Sequence, residues 1–399
     1  MTRFHSHGML GTWLIGAEEA AAAAEVIGSR SLFRHYGPAL LHKARALEAA
    51  FAEVTGVAHV LAMSSGTAAL RAALAGLRPR AGSEILVPPC TFAATINAIV
   101  LAGCVPVFCE LDGSLGLDPE RLAERITERT VGVIPVHLQG VACRIDAIVA
   151  AAQRHGLWVV EDCAQALGAR YRDRHVGGFG DLGAFSLQAH KTITCGEGGL
   201  LIGRDGERFA AARRFHDQGG ERDGDAYPCW DHPDAGFGDN LKMSELHAAV
   251  ALAQLGKLDE IRAAMRARHL RLVHETRLYG RTVRPEPDPA GSLPHAFVFY
   301  ADDADDRARI LARLEAAEIP ADDLYGEPLY LSAPLVRWAR GEPVLGCPHP
   351  EWRPRFERCP DAERLMARIV RVPLSPVYST DDMDHLITTL QRCLERPSR

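Results

Sequence analysis

The 399-residue sequence predicts an α/β chain, with a large, mostly parallel seven-stranded sheet domain followed by a smaller C-terminal α+β domain. Three observations point there. From about residue 60 to 205, short apolar runs rich in β-branched residues alternate with Ala-rich helical stretches. These runs are apolar almost throughout, as strands buried on both faces are. Beyond about residue 275 the texture changes, and strand-like and helix-like segments recur without the regular alternation.

The strand segments are VLAMSS (60–65), EILVPPC (84–90), VPVFCEL (105–111), VGVIPVHL (131–138), LWVVEDC (157–163), AFSLQ (184–188) and GLLIGR (199–204). Helix-like stretches TAALRAALAGL, TFAATINAIVLAG, DPERLAERITER and IDAIVAAAQRHG separate the first five. A Gly-rich loop joins the last two strands, so the alternation breaks there. A second loop over 216–240, rich in Gly, Asp and aromatic residues, leads into a segment with the length and periodicity of one long helix, reaching to 275. Ser244 stands near its start as a cap. Upstream, AEEAAAAAEVI is a strong helix former. In the smaller unit HAFVFYA and RIVRVPLSP read as strands, with DRARILARLEAAEIP as a helix between them. The expected division is 1–262 for the large domain and 263–399 for the small one.

Composition excludes several classes. With 45 Lys and Arg against 51 Asp and Glu the net charge is −6, which argues against a basic nucleic-acid binder. No apolar run approaches the roughly 18 residues of a membrane span, and the N-terminus has no secretory pattern. The ten cysteines form no CxxC pair and several lie in apolar runs, as expected of a reduced, cytoplasmic chain. Cys347 and His349 lack a second pair of ligands, so no metal is expected.

Chemistry gathers at strand ends, where open α/β sheets place their sites. Lys191 follows a strand and precedes GEGG; alone it is a solvated charge, but a partly desolvated lysine there acquires a lowered pKa and forms Schiff bases. Glu161 and Asp162 end a central strand. Either can cap the next helix, and either, opposite a pyridine nitrogen, keeps that nitrogen protonated. SSGTAAL (64–70) is a strand, turn and helix start whose amides, with the Thr67 hydroxyl, suit a phosphate; the plainer role is an N-cap by Ser65 or Thr67. Phe92 stands where it can stack on a planar ring or simply fill the core. Gly178, Gly180 and Gly183 satisfy GxGxxG, but a strand follows them where a dinucleotide fingerprint needs a helix. That motif is rejected.

Together these residues resemble the DegT/DnrJ/EryC1/StrS family of aminotransferases dependent on pyridoxal 5′-phosphate (PLP). The matching pieces come in family order: LFRHYG (32–37), SSGTAAL, PPCTFAAT (88–95), IPVHLQG (134–140), VVEDCAQALGA (159–169), GAFSLQAHKTITCGEGG (183–199), HDQGG (216–220) and GDNLKMSELHAAVALAQL (238–255). The resemblance implies a fold-type I (aspartate aminotransferase-like) transferase, a homodimer with shared active sites. It makes Lys191 the Schiff-base lysine and Asp162 the partner of the pyridinium. Gly66, Thr67 and Ser186 would hold the cofactor phosphate, Phe92 would stack on the ring, and Gln165 would lie near the phenolic oxygen. Asn240 would reach the phosphate of the neighbouring subunit's cofactor.

Glutamate or glutamine is the implied amino donor, and the acceptor a keto or aldehyde sugar, cyclitol or sugar acid of a natural-product or polysaccharide pathway. A PLP-dependent sugar dehydratase and a non-catalytic regulatory paralogue are the alternatives. In the dehydratase branch a histidine replaces the lysine, whereas alignment of KTITCGEGG puts Lys191, and not His190, in that register. One departure is Lys242, where the family commonly has Arg; lysine loses the planar fork that grips carboxylates. Arg34, His35 and Tyr36, and the loop bearing Trp230 and His232, are candidate walls of the substrate site.

Overall fold

The computed structural model describes Phe4 and residues 10–349, 351–354 and 357–396. All seven strand segments enter one sheet: β1 (His59–Met63), β2 (Glu84–Val87), β3 (Val105–Phe108), β4 (Thr130–Val133), β5 (Trp158–Asp162), β6 (Leu182–Ser186) and β7 (Gly199–Gly203), in the order β1-β7-β6-β5-β4-β2-β3. From β6 through β3 every pairing is parallel. β7 runs against both its neighbours. No helix intervenes between β6 and β7; the loop over 187–198 returns the chain antiparallel without the helix that a parallel crossover usually carries.

The strands divide their side chains between two cores, as the two-residue period requires. Leu86, Val133, Val159, Phe185 and Leu200 face one side with Leu47, Phe51, Ile148 and Met265. Ile85, Val87, Ile134, Val160 and Leu201 face the other with Leu70, Leu74, Ile96 and Ile99. The second core is covered by α3 (Gly66–Leu77), α4 (Ala93–Leu101) and α6 (Gly206–His216), the first by α2 (Lys43–Thr55), α5 (Ile145–Arg154), α7 (Glu245–Leu255) and α8 (Leu258–Glu275), with α1 (Ala17–Ser29) packed on α7.

Two local expectations are corrected. DPERLAERITER forms only a 3-10 turn over Leu122–Arg125. Its Arg121 and Arg125 are drawn to Asp361 and to the Arg358 carbonyl on the C-terminal part of the chain, so tertiary contacts override local propensity. The long helix reaching to 275 is two helices, α7 and α8. Ser244 does cap α7, accepting from the His247 amide, but the run breaks at Gly256–Lys257. Glycine weakens the helix there, and the Lys257 ammonium is held by Glu19 and the Leu14 carbonyl at 2.8 and 2.7 Å.

A second, antiparallel sheet of β8 (Thr282–Val283), β9 (Ala296–Tyr300) and β10 (Ile369–Pro373) follows, packed by α9 (Ala304–Ala316) and α12 (Thr380–Leu394), with the short helices α10 (Ala333–Ala339) and α11 (Pro360–Met366) between those two in the chain. Backbone bonds from His295 to Gln139 and from Leu293 to Gly140 fasten it beside the carboxyl ends of β4 and β5. No described helix is long and apolar enough to cross a membrane.

Candidate active site

The strand ends surround a cavity of about 490 Å³, lined by Ser65, Gly66, Thr67, Phe92, Asp162, Gln165, Ser186 and Lys191 among others. Asp162 is the last residue of β5 and is only 4% exposed. Its Oδ2 accepts from Thr95 Oγ1 at 2.7 Å and its Oδ1 from the Ala164 amide at 3.0 Å. The adjacent Glu161 faces the other way, as a strand dictates. It is fully buried and takes the amides of Gly177, Phe179 and Gly180 and His137 Nε2 at 2.6–3.0 Å. The GxGxxG segment therefore supplies amides to a structural carboxylate. Cys163 also lies close to His137 and Glu161, but both carboxylate oxygens are already saturated. The two open readings of the acidic pair thus separate: Asp162 faces the cavity and Glu161 anchors the β5–β6 turn.

Lys191 sits in the loop between β6 and β7, its amide bonded to the Gln188 carbonyl and its carbonyl to Gly11. Burial holds its ammonium below the ordinary lysine pKa, with Asp162 and Glu197 pulling the other way. A lowered pKa in a lined cavity is what a lysine nucleophile or proton carrier needs.

At the opposite wall α3 begins. Ser65 is its N-cap, accepting from Ala68 N at 3.0 Å, which leaves Gly66 and Thr67 amides without helical acceptors. Two glycines permit this approach. A Cβ on Gly66 would stand 2.8 Å from Ser186 Cβ, and one on Gly199 would stand 2.4 Å from the Ser65 carbonyl. Free amides, the hydroxyls of Thr67 and Ser186 and the helix dipole meet at this wall, an arrangement that suits an anion. Phe92, the N-cap of α4, is 61% exposed at the mouth, so its ring is available to a planar ligand and is not core.

Residues that the sequence did not single out complete the walls. Gln165 Oε1 accepts from Gln139 Nε2 and its Nε2 donates to Tyr325, both at 2.7 Å. Gln139 also takes Arg371 Nη1 at 3.3 Å, and Arg371 Nε pairs with Asp322 at 2.7 Å. Leu324, Tyr325 and Gly326 all have positive φ (47°, 72° and 69°), so backbone strain is spent on presenting Tyr325. His295 is kept neutral, its pKa near 3, by burial and then by the charges of Lys191, Arg284 and Arg371.

The DegT/DnrJ/EryC1/StrS aminotransferase family model matches residues 14–391. The chain belongs to that family. This DegT-family chain is similar over nearly its whole length to solved aminotransferases. TlmJ from Streptoalloteichus hindustanus is 27% identical, with 95% of this chain and 96% of that one covered and a TM-score of 0.82. S. venezuelae DesV, solved in complex with a ketimine intermediate, is 28% identical over 96% and 95%, with a TM-score of 0.80. NtdA from Bacillus subtilis, solved with bound cofactor PMP, is 21% identical over 99% and 86% at a TM-score of 0.82, and shares the fold. The family is PLP-dependent.

Not every expected residue reaches this cavity. Asn240 is exposed and absent from the lining; its expected target lay in another subunit. Arg34 and His35 line a different cavity, and Tyr36, Trp230 and His232 lie outside the first. Lys242 does not project into it either: its ammonium is locked to Asp217 at 2.6 Å.

Proposed function

We propose that this chain is a PLP-dependent transaminase that takes an amino group from glutamate or glutamine and places it on a keto or aldehyde sugar, cyclitol or sugar acid. The observation that carries the reading is the convergence of Lys191, Asp162, Phe92 and the α3 helix start on one cavity. A half-buried lysine, a buried carboxylate, an exposed aromatic face and a phosphate cup suit PLP as a set; no single one of them would. When bound, the cofactor supplies an electron sink for the carbon that gains or loses nitrogen.

In this reading the Lys191 amine, with its depressed pKa, removes and returns the proton at the reacting carbon. Asp162, pinned by Thr95, holds a proton on the pyridine nitrogen. Gly66, Thr67 and Ser186 grip the phosphate, Phe92 covers one ring face, and Gln165 reaches the ring's oxygen substituent. Gln139, Glu197, Tyr325 and Arg371 give the remaining space polar walls, which suit a polyhydroxylated acceptor.

Asn240 belongs to a homodimer, completing the partner's phosphate site. Exposed Tyr36 and Tyr227, stacked at 6.4 Å beside Phe33, support a face that a second copy covers. Light scattering of the loaded protein checks the dimer.

The reaction is tested by supplying glutamate or glutamine carrying ¹⁵N on the α-amine to loaded enzyme. One equivalent of keto acid without an acceptor, and continuous turnover with label in the product once a keto sugar is added, is the expected result. Elimination of water from the sugar without consumption of donor would instead establish the dehydratase.

A further inference from the structure

A second cavity, of about 380 Å³, opens along the free edge of β1 and shares no lining residue with the first. Five arginines line it against the carboxylates of Glu48, Asp217 and Glu221. Those carboxylates are already spoken for. Glu221 is shared by Arg213 and Arg214. Asp217 takes Arg222 Nε at 2.7 Å and Lys242 Nζ at 2.6 Å. Glu48 takes Arg34 Nη2 and the Ala62 amide, each at 2.8 Å.

Polar atoms are left over. Arg34, His35 and His216 are 5%, 7% and 3% exposed. Yet Arg34 Nε, Arg214 Nε and His216 Nε2 have no hydrogen-bond partner, while the His35 ring stands 3.5 Å from Asp225 and 3.9 Å from Asp217. A buried polar atom left without a partner is costly unless something fills the space.

The orphans also have a chemical signature. His216 Nδ1 lies 2.9 Å from the Arg213 carbonyl, so that nitrogen carries the proton and Nε2 presents a lone pair. Burial keeps His216 neutral, its pKa near 3, and burial with Arg222 and Arg34 holds His35 near 4. The cavity thus offers guanidinium donors together with one imidazole acceptor, His216 Nε2. A carboxylate supplies acceptors only. A hydrogen-phosphate group supplies acceptor oxygens for the arginines and one O–H for a ring nitrogen.

We propose that the cavity framed by Arg34, His35, Arg214 and His216 binds a hydrogen-phosphate group, either as the free ion or as the phosphate monoester of a metabolite. The site stands apart from the transamination cavity and does not depend on that reading.

The test is calorimetric titration of PLP-loaded protein, in a buffer free of other oxyanions, with inorganic phosphate and separately with glucose 6-phosphate. One saturable site per chain is expected for at least one of them, with affinity falling by about tenfold or more in Arg213→Gln and His216→Phe. Tighter binding of the ester assigns the site to a metabolite, and tighter binding of the ion to free phosphate. Thr67→Ala, which weakens the cup at α3, should leave this affinity unchanged. Because Arg213 is half-exposed, its variant tests the site even if His216→Phe fails to fold. Movement of the His35 and His216 ring resonances on adding ligand gives a second reading. Absence of saturable binding up to about 20 mM of either compound, or binding that keeps full affinity in both Arg213→Gln and His216→Phe, would overturn the proposal.

Discussion

The Thr95 hydroxyl, in the first turn of α4, donates to Asp162 Oδ2 across 2.7 Å, and since its proton is committed there, Thr91 must donate to Thr95 across the 2.8 Å between their hydroxyls. A relay of two hydroxyls thus fixes a carboxylate that belongs to a different strand. Thr95→Val keeps the shape and removes the bond. A hydrogen bond to a charged group contributes about 1.5–3 kcal/mol, so the rate of the donor half-reaction should fall by about 10- to 100-fold. The expected change is in kcat, with the donor KM and the circular dichroism spectrum retained; a lowered melting temperature with normal kcat would mean that the bond serves only the fold.

Gly66 is required by closeness and not by backbone angle. In Gly66→Ala the new methyl would meet Ser186 Cβ at 2.8 Å, forcing α3 away from β6. Overpacking of this kind costs about 1–3 kcal/mol. The cup should open, and PLP affinity, measured by equilibrium dialysis, should fall by about tenfold or more. Unchanged affinity would place the phosphate elsewhere.

Glu161 serves stability. Glu161→Leu strands the amides of Gly177, Phe179 and Gly180 together with His137, all buried. Breaking such a cluster costs about 3–5 kcal/mol, read as a lower urea midpoint. A variant as stable as the parent would contradict the anchoring role.

Stability should fall toward acid pH. Burial, the largest cause in each case, holds His175 near pKa 4 and His216 and His295 near 3, while unfolded imidazoles titrate near 6.5. Between these values the unfolded chain binds protons that the folded chain does not, so stability rises with pH. Each histidine costs up to about 1.4 kcal/mol for every unit below 6.5. His137, whose pKa is raised, works against this slope: its contribution is present at acid pH and is lost as pH rises through its folded value. Urea unfolding at successive pH values between neutrality and pH 4 checks the net sign, and a flat profile would refute it.

Much of this was legible in the sequence because it is local. Strands buried on both faces announce themselves as apolar runs, and Ser65, Phe92, Asp162 and Lys191 each follow such a run directly. Thr95, Gln139, His295, Tyr325 and Arg371 were not legible, since their roles arise from contacts between distant parts of the chain. Thr95 lay inside a quoted motif, PPCTFAAT, and its spacing of three from Phe92 places both at one helix start; that was the available signal. The turn at Leu122–Arg125 and the break at Gly256 were missed for the opposite reason. Around Leu122–Arg125 the local pattern favours helix and contacts to the C-terminal part of the chain outweigh it; at Gly256 the glycine was a local signal, but the hold on Lys257 by Glu19 and Leu14 was not. Arg34 and His35 were expected at the substrate wall, yet they close the edge of β1, a placement that only the folded sheet order reveals.

The central claim is that Lys191 carries a cofactor that takes nitrogen from an amino donor. The most direct measurement is the absorbance spectrum of PLP-loaded protein before and after glutamate or glutamine. The account predicts a visible band from lysine-bound cofactor that is bleached to the pyridoxamine form by one of the two donors, and that never appears in Lys191→Ala. An identical band in Lys191→Ala, or no band in fully loaded parent protein, would contradict it.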